Sequence, residues 1–201
     1  GNASNADCEN FWMGGNGSYT QMWVEDSLGN LQCAGYNNHY SLGDGSNTDR
    51  SGFVTPKFQL GSSTTRDFKN VKMVSFFPHY NDLSTKILTW DGMMYATGDN
   101  RRGQCGFGWT STNGTADRNA ENLKEHFSNG YFMPMRLPPS MQGNVEDVRG
   151  CGYGDNSDTI YAFWEYKTYD NRYYLHGYGG SYMMGNTNGQ GRQIPSPPIL
   201  G

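Results

Sequence analysis

The stretch GDNRRGQCGFG, residues 98–108, decides how the sequence is interpreted, because it places four glycines within eleven residues. Glycine-rich loops can wrap a phosphate group. A P-loop, however, ends in glycine, lysine and a hydroxyl residue, whereas this stretch ends in Gly106, Phe107 and Gly108. A dinucleotide-binding loop opens a helix, whereas the residues that follow here, WTSTNG, are typical of a loop. We therefore expect no phosphate-binding role and no cofactor.

The same glycine spacing recurs at two other places in the chain. Residues 35–45 read GYNNHYSLGDG, and residues 177–187 read GYGGSYMMGNT. In every copy a second glycine follows eight residues after the first, which gives the pairs Gly35 and Gly43, Gly98 and Gly106, Gly177 and Gly185. A third glycine follows after ten residues in two copies, Gly45 and Gly108. Recurrence at a long period is the signature of a repeat protein.

The sequence around the glycine stretches predicts β-hairpins. Residues 85–98, TKILTWDGMMYATG, place an Asp-Gly turn between two apolar runs, which is a strong hairpin signal. Comparable pairs of runs occur at 19–35 and 158–177, and another short strand precedes each pair. Three or four short strands per unit, with glycine turns and no helical periodicity, favour an all-β fold of β-propeller blades.

We expect about three repeats, which form part of a larger or multi-chain propeller because three blades cannot close a ring. The predicted repeats cover residues 1–61, 62–139 and 140–201, and the third is degenerate. The second contains an insertion at 109–131, in which residues 117–127 predict a small helix. A chain that starts at Gly1 and ends in PPILG is interpreted as cut or processed from something longer.

Two of the copies resemble the repeat of the regulator of chromosome condensation family, which also occurs in phage tail-fibre proteins. The segments LQCAGYNNHYSLGDG and MYATGDNRRGQCGFG share its apolar strand, its Gly-x-Asn and its closing glycines. Asn37 and Asn100 match the family's asparagine, whereas the third copy has Gly179 there. The resemblance implies a ring of seven blades. It also implies that the glycines allow neighbouring blades to approach closely where strands pass into loops.

Composition excludes several functional classes. The formal net charge is −4 and no basic run is present, which argues against a nucleic-acid partner. No stretch approaches the twenty or so apolar residues of a membrane helix, so we expect no membrane insertion. The four cysteines lie far apart without a CxxC pair, so the sequence predicts free thiols and no metal site: Cys8, Cys33, Cys105 and Cys151.

Catalytic patterns are absent from the sequence, and we expect a protein that is not an enzyme. The four histidines are separated from one another and lie in no recognised nucleophile or metal pattern: His39, His79, His126 and His176. His176 precedes Gly177 at a predicted strand end, where packing or solvation is expected.

An interaction or structural module is the favoured function, because Tyr, Ser, Gly and Asn dominate and such residues form adaptable contact surfaces. The first hypothesis is a virion tail-fibre or adhesin propeller, extracellular or on the virion, oligomeric, and contacting a host surface glycan or protein. Its candidate contact residues are Trp109, Tyr131 and Phe132, with simple packing as the alternative. A second hypothesis, implied by the resemblance, is a cytoplasmic guanine nucleotide exchange factor or other small-GTPase regulator. A third is a structural spacer within a large assembly.

Overall fold

The computed structural model describes residues 8–15, 17–60, 64–77, 84–100, 103–107, 130–154, 160–178 and 192–198. In this part the chain forms β-strands and a 3-10 turn at Asn38–Tyr40. The strands are β1 (Cys8–Gly14), β2 (Gln21–Asp26), β3 (Leu31–Gly35), β4 (Arg50–Val54), β5 (Lys57–Leu60), β6 (Thr64–Asp67), β7 (Val71–Phe77), β8 (Ser84–Thr89), β9 (Met94–Gly98), β10 (Met133–Pro134), β11 (Val145–Gly154), β12 (Ile160–Thr168), β13 (Tyr173–Tyr178) and β14 (Arg192–Ser196). Within these residues no helix has the length and apolar character needed to span a membrane.

Most of the strands build three four-stranded antiparallel sheets, which we call blades 1, 2 and 3. Blade 1 has the order β1-β2-β3-β4, blade 2 the order β10-β9-β8-β7, and blade 3 the order β11-β12-β13-β14. Each blade is a meander, because strands that are consecutive in the chain pair with one another. The predicted all-β fold of propeller blades is confirmed. The β5-β6 hairpin, which follows blade 1 in the chain, was not predicted.

The central hairpin of every blade closes with the same turn. In blade 2 the Gly92 amide donates to the Thr89 carbonyl at 2.9 Å, and the pairs Gly29–Asp26 and Asn171–Thr168 repeat this bond in the other blades. The donating residue has a positive φ in all three turns, +74°, +77° and +60° in chain order. Glycine takes this conformation without strain, and asparagine tolerates it. We call the end of the sheets that carries these three turns the hairpin-turn face.

Two apolar layers hold the three blades together. The layer between blades 1 and 2 contains Trp23 from β2 and Ile87 from β8, and the layer between blades 2 and 3 contains Leu88 from β8 and Trp164 from β12. In β2 buried and half-buried residues alternate, as expected for a sheet with one covered face. In β8 five consecutive residues, Ser84 to Leu88, are buried because both faces of blade 2 are covered.

Candidate functional site

The glycine stretches of blades 1 and 2 fold into the same loop around an asparagine. The Asn37 side-chain oxygen accepts the Leu42 amide at 2.9 Å, and the Asn100 side-chain oxygen accepts the Cys105 amide at 3.0 Å. The Asn37 amide nitrogen also donates to oxygens of Asp44, Ser46 and Thr48, at 3.0, 2.8 and 3.2 Å. In each loop the side chain of a buried asparagine therefore forms hydrogen bonds with the backbone, which a neighbouring strand would form in a sheet.

Two glycines of these loops lie very close to a neighbouring side chain. A Cβ at Gly43 would lie 2.3 Å from Cδ2 of Phe132, and one at Gly106 would lie 2.5 Å from Cε of Met135. Both glycines also have a positive φ, +67° and +70°. The blade 1 loop thus lies directly against Phe132, beside β10 of blade 2, and the blade 2 loop lies against Met135, beside β10 of its own blade.

The three contact residues predicted from the sequence differ in their exposure to solvent. Phe132 is fully buried in the layer between blades 1 and 2, against Trp23 and Phe68, so its assignment to a contact surface is corrected: its ring fills the space beside Gly43. Tyr131 is half-buried beside Gly45, and its surface role stays a prediction. Trp109, Gly108 and Gly185 lie outside the described residues, as does the predicted helix at 117–127.

A second recurring contact joins each glycine loop to the following blade. The Thr97 hydroxyl of blade 2 donates to the Tyr40 carbonyl of blade 1 at 3.0 Å. His176 Nε2 of blade 3 lies 2.7 Å from the Gln104 carbonyl of blade 2. Thr97 and His176 are equivalent, since each precedes the first glycine of its own repeat. His176 is therefore a packed, hydrogen-bonded residue.

A buried polar network surrounds His176. Lys86 is fully buried; its Nζ donates to the Gln104 carbonyl at 2.6 Å and lies 3.8 Å from the ring centroid of Trp164. The Tyr166 hydroxyl lies 2.8 Å from His176 Nδ1. Because a carbonyl can only accept, His176 donates from Nε2 and accepts the Tyr166 hydroxyl at Nδ1. The imidazole in this arrangement is neutral.

Burial sets the ionisation of this network. Burial lowers the pKa of Lys86 from 10.5 to about 7, against a weaker opposing influence of Cys105. Burial first, and the Lys86 charge second, hold the pKa of His176 well below 6.5. Burial raises the pKa of the Cys105 thiol to about 12. An inaccessible thiol of this kind is not a nucleophile. The network therefore joins blades 2 and 3 and offers no catalytic group to solvent.

The part of the chain that the structure describes contains no cluster of metal-binding side chains. Among those residues no three His, Cys, Asp or Glu side chains lie close enough to hold a metal ion. Cys8, Cys33 and Cys105 are free thiols, the first exposed and the other two buried. The side chain of Cys151 lies outside the described side chains.

The hairpin-turn face carries large exposed side chains. Leu28 is 76% exposed, Trp90 67% and Tyr169 54%, and each lies in the central turn of a different blade. Trp90 and Tyr169 occupy equivalent positions, directly after the first residue of the turn. The Asp91-Gly92 turn predicts the hairpin from the sequence, but Trp90 beside it is not among the predicted contact residues. The available signal was a tryptophan in a turn that usually holds small polar residues.

Lys72 joins the exposed rings of blades 2 and 3. Its Nζ lies 4.5 Å from the ring centroid of Tyr169 and 5.6 Å from that of Trp90. The same nitrogen donates to the Tyr169 hydroxyl. An ammonium at these distances is attracted to both ring faces. The turns of neighbouring blades are thus held together around a cation at the surface.

Comparison with known proteins gives a fold and no family. No protein-family model matches the sequence, and no curated protein does. Human WBSCR16 is similar in structure, with a TM-score of 0.56 and 14% identity over 88% of this chain and 35% of that chain. The structure of Kap60 bound to yeast RCC1 (Prp20) matches with a TM-score of 0.50 and 13% identity, over the same shares.

The chain spans about a third of the length of these matched chains. Identities this low carry information on the fold alone. Together with the three meander sheets and their glycine loops, the comparisons show that the chain has the fold of RCC1-like β-propeller blades.

Proposed function

We propose that the chain is an interaction module that holds a protein partner on the hairpin-turn face. The observation that carries the proposal is the exposure of Leu28, Trp90 and Tyr169 at the ends of three adjacent hairpins. Exposed apolar side chains grouped on one surface mark interaction sites, and Trp and Tyr are the side chains most often found to carry binding energy.

The turns that present these side chains are fixed by backbone bonds to neighbouring segments. The Asn70 amide donates to the Gly29 carbonyl at 3.0 Å, and the Tyr169 amide donates to the Asn144 carbonyl at 3.0 Å. The turn of blade 2 packs so closely that a Cβ at Gly92 would lie 2.5 Å from Cα of Gly143. Side chains on fixed turns lose little conformational entropy when they bind, which favours affinity.

A small GTPase is the second candidate, as a partner on which the module acts. It is favoured by the RCC1-like fold, and the matched yeast RCC1 structure contains a bound protein, Kap60. The virion tail-fibre or adhesin hypothesis, with a host glycan or protein as ligand, rests on composition and on the repeat resemblance described from the sequence. Both hypotheses use a propeller surface for binding, so one set of experiments separates them.

We also propose that further blades, in the same polypeptide or in another copy, cover the outer face of blade 1. Phe11, Met13 and Phe53 are 51%, 60% and 45% exposed, whereas their strand neighbours Trp12 and Val54 pack against the inner layer. Alternation places the three exposed residues on the outer face. The intact mass and native size of the protein from its source test this: a monomer of 22.5 kDa would contradict it.

The experiment for the partner surface is site-specific photocrosslinking in cells of the source. A photoreactive amino acid replaces Trp90 in one variant and Asn47 in the control, an exposed residue of the glycine loop. We expect a discrete protein adduct from position 90 and none from position 47. Equal labelling from both positions, or labelling from position 47 alone, would contradict the proposal.

The identity of the adduct, with two binding assays, separates the candidate functions. Accelerated release of a fluorescent GDP analogue from a crosslinked GTPase would support the regulator hypothesis. Saturable binding of the native protein to host glycans, unaffected by Trp90→Ala, would instead support the adhesin hypothesis and place its site elsewhere.

A further inference from the structure

A pocket of about 350 Å³ opens beside Trp90, between the hairpin turn of blade 2 and the β6-β7 connection. Its walls include a cluster of three aromatic rings: Phe58, Phe68 and Tyr95, with centroids 4.9 to 5.4 Å apart. Phe68 and Tyr95 are 2% and 8% exposed, so they form the floor, and the exposed Trp90 forms a wall.

Two carboxylates, Asp67 and Asp91, also line this pocket. Asp91 accepts the hydroxyl of Thr89 and makes no ion pair with any described residue. Asp67 lies 3.7 Å from Lys57 Nζ in an exposed pair, which contributes little. Burial first, and the Asp91 charge second, raise the pKa of Tyr95 on the pocket floor.

One cation, Lys69, lines the same pocket, but its ammonium is engaged elsewhere. Its Nζ donates to the side-chain oxygen of Asn30. It also contributes, as the weakest of several causes, to the lowered pKa of Asp26. The Nζ of Lys72 is closer to the ring of Tyr169 than to that of Trp90, and it donates to the Tyr169 hydroxyl. The pocket therefore combines aromatic walls with two carboxylates and an ammonium that already has partners.

We propose that this pocket binds an arginine side chain presented by the protein partner. A guanidinium group stacks on aromatic rings and donates paired hydrogen bonds to carboxylates. A pocket that contains aromatic rings and carboxylates can therefore make both kinds of contact. Trp90 supplies an accessible ring, and Asp91 supplies a carboxylate that forms no ion pair with the residues that the structure describes. The inference rests on the proposed function in one respect only, namely that the arginine comes from a protein bound to the hairpin-turn face.

The probe is N-acetyl-arginine methylamide, and the matched neutral probe is the corresponding citrulline derivative. Binding is followed by the NMR signal of the Trp90 indole N–H in the native protein. We expect a saturable shift with the arginine probe and affinity about tenfold weaker for citrulline, since one charge-assisted contact is lost. Equal affinity of the two probes would overturn the proposal.

Paired variants locate the binding carboxylate. Asp91→Asn is expected to weaken binding of the arginine probe about tenfold. Asp170→Asn is the matched control, because Asp170 occupies the equivalent turn position in blade 3 and likewise accepts a threonine hydroxyl, from Thr168 at 2.5 Å. Its affinity should equal that of the wild type. Unchanged affinity in Asp91→Asn, or equal losses in both variants, would refute the assignment.

The probe experiment and the crosslinking experiment fail independently. An adduct from position 90 without arginine binding would leave the interaction face standing and overturn the arginine pocket. Arginine binding that depends on Asp91, without any adduct, would leave the pocket standing and contradict the protein partner.

Discussion

Replacement of Lys86 by methionine tests the physical account of the interface between blades 2 and 3. Lys86 is fully buried and its pKa is lowered from 10.5 to about 7, mainly by burial. In the unfolded chain the amine takes up a proton as the pH falls below about 10.4, but in the folded chain it does so only near pH 7. Between these values the unfolded state binds more protons, so stability rises with pH.

The magnitude follows from the two pKa values. Their difference corresponds to a destabilisation of about 5 kcal/mol, which is complete below pH 7 and absent above pH 10.5. At pH 7, where the buried amine is about half protonated, we expect a penalty of about 4 kcal/mol.

Methionine removes this penalty at a small loss of contacts. It has a similar length and fills irregular space well, so the cavity that it leaves is small. The Gln104 carbonyl that Lys86 contacts keeps its second partner, His176 Nε2 at 2.7 Å. The substitution therefore does not leave the buried Gln104 carbonyl without a donor. An unsatisfied buried acceptor is what usually makes removal of a buried polar group costly.

Urea unfolding at pH 7, 8 and 9, followed by circular dichroism, measures the effect. Lys86→Met should be more stable than the wild type by about 4 kcal/mol at pH 7, and the difference should shrink by up to about 1.4 kcal/mol per pH unit. Lys69→Met, at an exposed lysine, is the control and should show no such trend. A Lys86→Met difference that stays constant across this range would refute the reasoning.

Two further substitutions test the glycine loops by the same unfolding measurement. Gly43→Ala should destabilise the fold by about 2 to 4 kcal/mol, because the new Cβ would lie 2.3 Å from the Phe132 ring at a residue with a φ of +67°. The control Gly17→Ala, at a φ of +59° with open space around the Cβ, should lose only about 1 kcal/mol. Equal losses in the two variants would contradict the close packing of Gly43 against Phe132. Asn37→Ala should cost about 2 to 3 kcal/mol, because the buried Leu42 amide loses its acceptor, and a loss below about 0.5 kcal/mol would show that water replaces the side chain.

The sequence was sufficient to predict the hairpins, because their signals are local. The Asp91-Gly92 turn and the apolar runs beside it lie within fourteen residues, and the structure has strands on both sides of the turn. The β5-β6 hairpin was not predicted, because its strands are only four residues long and lie on either side of the boundary between the predicted repeats 1–61 and 62–139. Its stability comes from distant contacts, such as the Gln59 amide with the Phe132 carbonyl at 2.8 Å.

Burial at the interfaces between blades could not be predicted from local sequence, because it too depends on residues far away in the chain. Lys86 lies in the run TKILT, where a lysine would normally face solvent, but it is fully buried and its Nζ lies 3.8 Å from the ring centroid of Trp164 in the next blade. Phe132 was assigned to a surface because it borders an insertion, yet it packs beside Gly43, which lies 89 positions earlier in the sequence. The exposure of Trp90 likewise depends on neighbouring segments that leave its ring uncovered.

The contacts that repeat between blades also limit how another blade can be added. Thr97 and His176 each donate to the glycine loop of the preceding blade. Blade 1 has Ala34 at the equivalent position, and an alanine side chain has no hydrogen to donate. A blade placed before blade 1 must therefore dock without this bond. Its affinity would depend on burying Phe11, Met13 and Phe53, and deleting those side chains should weaken that junction while leaving the two described interfaces unchanged.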